Sequence, residues 1–286
     1  MTTMKTIISA SRRTDLPAFH YEWLQMALRN GYAEVKNPRF KEVKYRVDLA
    51  PDSVHSIVLW SKDFGNVLRH PGYLGDYHLY FQYTINHYAK TLEPFAPSYR
   101  ESLRTLEGLR HIYRPEQFNI RFDPLVISVR GEVHPTPEAP ARARVAAFEA
   151  LCRDLAALGM RGCRITTSYL AIYRNVGRNL RLAGIDPVQL DAREQKDLVR
   201  ELADIAGRHG LPLYSCAYPL FTEVAGVEPG CCIDGRLLQE LFGGKVSKAK
   251  DTGQRKFCNC AKSSDIGSYD DICRFKCAYC YAAGGA

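Results

Sequence analysis

The chain has 286 residues, of which 46% are hydrophobic and 24% charged. That is ordinary globular composition, enough for a full core, and it excludes disorder, collagen and coiled coil as descriptions of the whole. No apolar run approaches the roughly 20 residues of a membrane helix, and the net charge of +8 favours anionic ligands without by itself specifying nucleic acid.

Met1 to Ser11 lacks the apolar stretch and small-residue cleavage site of a signal peptide, so a soluble, cytoplasmic protein with no membrane partner is expected. In chain order, the first strand is predicted at Thr6–Ser9. Asp15, ahead of Leu16 and Pro17, reads as a helix cap. Strands follow at Ala33–Val35 and Ser56–Trp60, with Asp63 capping before Phe64, and then at His78–Thr84.

Ser98 and Glu101 make a capping box ahead of an apolar face of Leu103, Leu106, Leu109 and Ile112. After a strand at Gln117–Phe122 comes a helix over Ala141–Leu158. It carries an apolar stripe of Val145, Phe148, Leu151, Cys152, Leu155 and Leu158, and Gly159 suits its C′ position. A strand at Cys163–Thr167, a second capping box at Asp191 and Glu194, and a strand at Pro212–Cys216 complete the regular part. Gly226–Gly230 and Gly243–Gly244 read as turns, and in the remainder only Asp234–Phe242 has a helical pattern.

Strands alternating with helices imply parallel pairing, in a barrel or an open doubly wound sheet. Polar clusters at strand ends favour an α/β fold of the TIM-like (β/α) barrel kind, partial or complete, because a barrel gathers all of them at one mouth. They are Ser11 to Asp15, Asn37-Pro38-Arg39, Trp60-Ser61-Lys62, Gln82-Tyr83-Thr84, Arg121 to Pro124, Ser168-Tyr169 and Cys216. Residues 1–225 are expected to form the barrel. Residues 226–286 are expected to be an irregular Cys-rich extension, tied down by metal and folded over the mouth.

Ten cysteines are present, eight of them from Cys216 onward, and in a reducing compartment such crowding points to metal. The lone Cys152 and Cys163 read as core thiols. Cys273, Cys277 and Cys280, spaced Cx3Cx2C, have the form to hold three corners of a 4Fe-4S cubane, with the fourth iron left to chelate S-adenosyl-L-methionine. The histidines show no metal-ligand spacing, and no GxSxG, Walker-type or GxGxxG loop occurs.

Cx3Cx2C with the aromatic Tyr279 before the last cysteine resembles the signature of radical S-adenosylmethionine enzymes, in which that aromatic lies beside the adenine. The loop sits at the far end of the chain, whereas the superfamily normally carries it near the start. That placement is similar to an uncharacterised bacterial family with a C-terminal radical-SAM-like cysteine cluster. Further pieces shared with it are Ile7 to Ala18, Asn37-Pro38, Tyr80 to Thr84, Arg121 to Pro124, Cys232-Ile233-Asp234, Cys258-Asn259-Cys260 and Ser264 to Gly267.

The resemblance implies an enzyme that reductively cleaves S-adenosylmethionine to a 5′-deoxyadenosyl radical. Its substrate is unidentified and open to being anionic, and its reductant is of the flavodoxin or ferredoxin kind. By donor and acceptor type, Arg12, Arg13, Lys62 or Arg121 suits the cofactor carboxylate, and Gln82 or Asp123 its amine or ribose hydroxyls.

Cys216, Cys232, Cys258 and Cys260 are a second thiol set. An auxiliary iron–sulfur cluster and a structural zinc both suit it, and Cys258 or Cys260 as fourth ligand to the terminal cluster is a further alternative. The competing function is a metal-stapled nucleic-acid-binding protein without radical chemistry, supported by the charge, the lysines between Lys245 and Lys256, and the aromatic content.

Overall fold

A computed structural model describes residues 4–37, 40 and 42–282. In chain order its elements are β1 (Thr6–Ala10), α1 (Leu16–Phe19), α2 (Tyr21–Asn30), β2 (Tyr32–Lys36), β3 (Lys44–Asp48), β4 (Val54–Ser61), α3 (Gly65–Arg69), β5 (Leu79–Thr84), α4 (Tyr99–Arg110) and β6 (Phe118–Arg121). There follow α5 (Pro140–Ala157), β7 (Arg164–Thr167), α6 (Arg174–Leu182), α7 (Ala192–Arg208), β8 (Leu213–Cys216), α8 (Pro219–Thr222), β9 (Val227–Gly230), α9 (Gly235–Phe242) and β10 (Ser264–Asp265). The chain divides into two compact units. One comprises Met1–Tyr83 and Cys231–Cys273, the other Thr84–Gly230 and Arg274–Ala286.

In the first unit the strand order is β10-β1-β4-β5, and every pair is parallel. The register sets Ser9 opposite Asp265 and Val58, and Leu59 opposite Phe81. Seven of the eight β4 residues are buried, the pattern of a parallel strand covered on both faces. Ile8, Ile57, Val58, Leu59 and Phe81 form this core with Leu16 and Leu24 of the preceding helices. Phe64 meets the rings of Phe81 and Tyr83 edge-on, at 5.3 and 4.9 Å.

Beside this sheet, β2 and β3 make an antiparallel hairpin with Tyr32 opposite Asp48. The strand expected at Ala33–Val35 is therefore real but does not belong to the parallel sheet. Pro38 and Arg39 lie outside the described residues.

The second unit has the order β6-β7-β8-β9, again all parallel. Long crossovers through α5 and through α6–α7 permit that pairing. Phe118, Ile120, Ile165 and Leu213 supply the strand side of the core. Phe148, Leu151, Cys152 and Leu155 of α5, with Leu198, Leu202 and Ile205 of α7, supply the helix side. Burial pushes the Cys152 thiol up to about 12 and raises the Cys163 thiol as well, as inert core thiols require.

Both capping boxes are present. Ser98 N–H donates to Glu101 at 2.7 Å while Glu101 N–H donates back to Ser98 Oγ at 3.3 Å, and Asp191 and Glu194 repeat the exchange. Asp15 caps α1 as expected; Asp63 accepts from Gly65 N–H just outside α3.

Two expectations are corrected. Val227–Gly230 is an edge strand, not a turn, and tolerates Pro229 because an edge leaves one N–H row unused. Ile112 is 48% exposed, lying past the end of α4 and off its buried stripe. The mostly parallel eight-stranded sheet is of the expected α/β kind, and no closed barrel is shown.

Candidate functional site

In the first unit the parallel register brings the C-terminal ends of β1, β4 and β10 side by side, and Asp265 is the hub of what gathers there. Its carboxylate accepts from Ser11 Oγ at 2.7 Å, Ser9 Oγ at 2.9 Å, Arg12 N–H at 2.9 Å and Gly267 N–H at 3.1 Å. The guanidiniums of Arg12 and Arg13 flank it at 3.7 and 3.8 Å. Arg12 also donates to Ser263 Oγ at 3.1 Å, and Arg13 to the Gly267 carbonyl at 3.0 Å. A side chain at Gly267 would put its Cβ 2.1 Å from Ser11 Oγ, so only glycine lets the loop after β10 lie this close to the loop after β1.

Behind this hub, Asp15 accepts from Ser61 Oγ at 2.7 Å, Ala18 N–H at 3.0 Å and Lys62 N–H at 3.1 Å. Burial outweighs those hydrogen bonds and pushes the carboxyl up to about 7. Lys62 thus joins the site through its backbone.

The same unit holds three buried thiols, those of Cys232, Cys258 and Cys260. Hydrogen bonds from Cys260, side chain and backbone, bring Cys258 down to about 6, helped by the Arg12 charge. The neighbouring sulfurs of Cys232 and Cys258, together with burial, push the Cys260 thiol up. Ile233 N–H donates to Cys260 Sγ at 3.4 Å, and Gln82 Nε2, fully buried on β5, donates to the Cys232 carbonyl at 2.5 Å. Gln82 is therefore a brace for the thiol group. Cys273 ends this unit.

Cys216, at the C-terminal end of β8, belongs to the other unit, as do Cys277 and Cys280. There the tail docks by Ala278 N–H to the Leu92 carbonyl at 2.9 Å and closes a turn from Cys280 N–H to the Cys277 carbonyl at 3.0 Å. Tyr279 is buried, its phenol donating to Glu93, and Asn86 Nδ2 donates to Glu93 at 3.0 Å and to the Tyr279 oxygen at 2.9 Å. Burial and the Glu93 charge raise the phenol well above its ordinary value. Asn86 Oδ1 takes the Asp123 N–H at 2.7 Å. Arg121 and Asp123 pair with each other, and Ser168 donates to the second Asp123 oxygen.

A model of the family described as a domain of unknown function, DUF1848, matches residues 7–282. The chain belongs to the DUF1848 family. No curated protein matches it. Among solved structures, the crystal structure of an IolI protein with a bound zinc atom is similar at 12% identity over 88% of this chain and 74% of that one. The TM-score of 0.33 is too low for that likeness to carry any argument.

For a metal or cluster, the donor chemistry of this DUF1848 chain fits. Cys232, Cys258 and Cys260 form a soft thiol set, with Cys258 lowered by its hydrogen bonds from Cys260. Among the described residues, however, no group of three or more His, Cys, Asp or Glu side chains is arranged to hold a metal ion. The three sulfurs are packed as hydrogen-bonded thiols, and the Cys273, Cys277 and Cys280 trio is divided between the two units.

Reading the sequence without a fold gave no role to Asp265, Asn86, Glu93, Glu132 or Arg144. Arg144 had a signal. It stands four residues before Phe148 on the buried stripe of α5, where a charge demands a partner. It is fully buried, donates to the Asn86 carbonyl at 2.6 Å, and lies 4.1 and 4.4 Å from the ring centres of Tyr88 and Phe122. Glu132 approaches it at 3.6 Å.

Proposed function

We propose that this DUF1848 protein is a radical S-adenosylmethionine enzyme holding a 4Fe-4S cluster on Cys273, Cys277 and Cys280, and a second metal group on Cys232, Cys258 and Cys260. The observation that carries the reading is the thiol inventory. The sequence carries a Cx3Cx2C loop and, separately, three buried thiols that hydrogen-bond to one another, with Cys258 lowered from its ordinary value by its bonds from Cys260. A core that needed only apolar filling would not gather three hydrogen-bonding thiols at one place.

When bound and reduced, the cluster supplies the electron that cleaves the sulfonium and yields a 5′-deoxyadenosyl radical for hydrogen abstraction. The chain's own residues would bind and orient. Tyr279, pinned through its hydroxyl by Glu93 and Asn86, holds one ring orientation beside Cys280. Arg12 and Arg13 bring cationic charge to the strand ends, partly offset by Asp265. Gln82 fixes the backbone of Cys232. A (β/α) barrel remains the architecture proposed for enclosing the substrate.

The test is iron and acid-labile sulfide analysis of protein purified without air. About four irons indicate one cubane and about eight indicate two. In the two-cluster case Cys258→Ala with Cys260→Ala halves the iron. Zinc without sulfide contradicts the reading.

A further inference from the structure

A cavity of about 570 Å³ in the second unit is lined by Arg174, Asn175, Arg178 and Arg181, all on α6. The spacing of four and then three residues sets the guanidiniums on one helix face. Val176 and Leu180 bury the opposite face. Among the described residues no hydrogen bond or ion pair is shown for these three guanidiniums, and α6 has no acidic residue in its first turn.

Such an arrangement works against the helix. Like charges at these spacings repel, and Arg174 opposes the positive end of the helix dipole. Two exposed aromatics adjoin it. Tyr173, 45% exposed, immediately precedes Arg174, and Tyr281, 57% exposed, accepts from Asn175 Nδ2 through its carbonyl at 2.5 Å.

We propose that this face is a binding site for phosphate-bearing nucleosides. The arginines would pair with phosphate oxygens, and Tyr173 and Tyr281 would stack on bases. Three guanidiniums and a neutral amide suit an anion. Flanking phenol rings add no affinity for a bare phosphate but suit a nucleoside. The site lies within one unit.

The test uses the full chain and a fluorescent oligothymidylate of about ten nucleotides, followed by polarisation. Binding is expected to weaken with salt, with a log–log slope of about −2 for three phosphate contacts to a single strand. The triple substitution Arg174→Gln, Arg178→Gln, Arg181→Gln should lower affinity by about tenfold or more. The control Arg193→Gln, Arg200→Gln on α7 changes exposed arginines already paired with Asp197 and should retain binding. Tyr173→Ala should weaken binding and Tyr173→Phe should keep it. Displacement of the probe by free adenosine monophosphate assigns the site to a small nucleotide. Failure to displace it, with oligonucleotide binding intact, assigns the site to a strand. Both outcomes support the proposal. Full-affinity binding by the arginine triple or by Tyr173→Ala, equal loss in the α7 control, or no binding at low salt overturns it.

Discussion

At the residue scale, Gly267 and Asp265 carry the first unit's strand-end site. Gly267→Ala forces a Cβ into Ser11 Oγ at 2.1 Å, and overpacking of that kind costs roughly 1–3 kcal/mol. Thermal melting of the variant measures it, and an unchanged midpoint would show that the loop shifts freely. Asp15 makes stability depend on pH. Its carboxyl keeps its proton to about 7 in the fold, against an ordinary 3.8. Folding therefore takes up a proton between those values, and this contribution falls as pH rises from about 4 to about 7, then levels off. His87 works in the opposite sense, since burial lowers it to about 4 and stability is lost as pH falls below its ordinary 6.5. Comparing Asp15→Asn with the wild type isolates the first effect. The variant should gain relative stability steadily across that window.

Arg144 and Glu132 give a paired prediction. Arg144→Ala strands a buried carboxyl and should cost about 3–5 kcal/mol, whereas Arg144→Leu with Glu132→Leu should cost much less. Equal losses would show that the rings of Tyr88 and Phe122 hold the guanidinium without help from Glu132.

At the element scale, what the sequence made legible was local. The capping boxes at Ser98 and Asp191 are where side-chain chemistry put them, because a cap depends on residues three apart. Ser98→Ala and Asp191→Ala should each cost about 1 kcal/mol by denaturant melts. The apolar stripe of α5 was readable for the same reason. Elements defined by a distant partner were not. Ser264–Asp265 is too short to show a period, and it is a strand only because β1 offers an edge. Lys44–Asp48 is mostly exposed and polar, and only its pairing with β2 reveals it. Val227–Gly230 contains Pro229 and Gly230 and follows Gly226, which spell a turn until β8 supplies a ladder. The candidate residues divide likewise. The cysteines announce themselves by spacing, whereas Asp265 and Asn86 matter through bonds to residues far off in the chain.

At the scale of the whole molecule, the cysteine-rich region is not an appendage. Residues 231–273 complete the first unit, contributing β10 to its sheet and Asp265 to its strand-end site. A chain ending at Gly230 should expose the edge of β1 and leave Arg12 and Arg13 without Asp265. Loss of cooperative melting and aggregation of that truncation would follow, and a soluble, cooperatively melting product would contradict it. The family match spans both units, so the tail and the parallel strands are read as one inherited whole. No helix among the described residues is long and apolar enough to cross a membrane.

The most direct test of the radical chemistry is the formation of 5′-deoxyadenosine. Full-length protein reconstituted with iron and sulfide under anaerobic conditions is mixed with S-adenosylmethionine and dithionite, and the products are separated chromatographically. The wild type should release 5′-deoxyadenosine and methionine, and Cys277→Ala should release neither while melting normally. Equal product from both proteins, or none from a wild type that carries its full complement of iron, would contradict the assignment of the tail thiols.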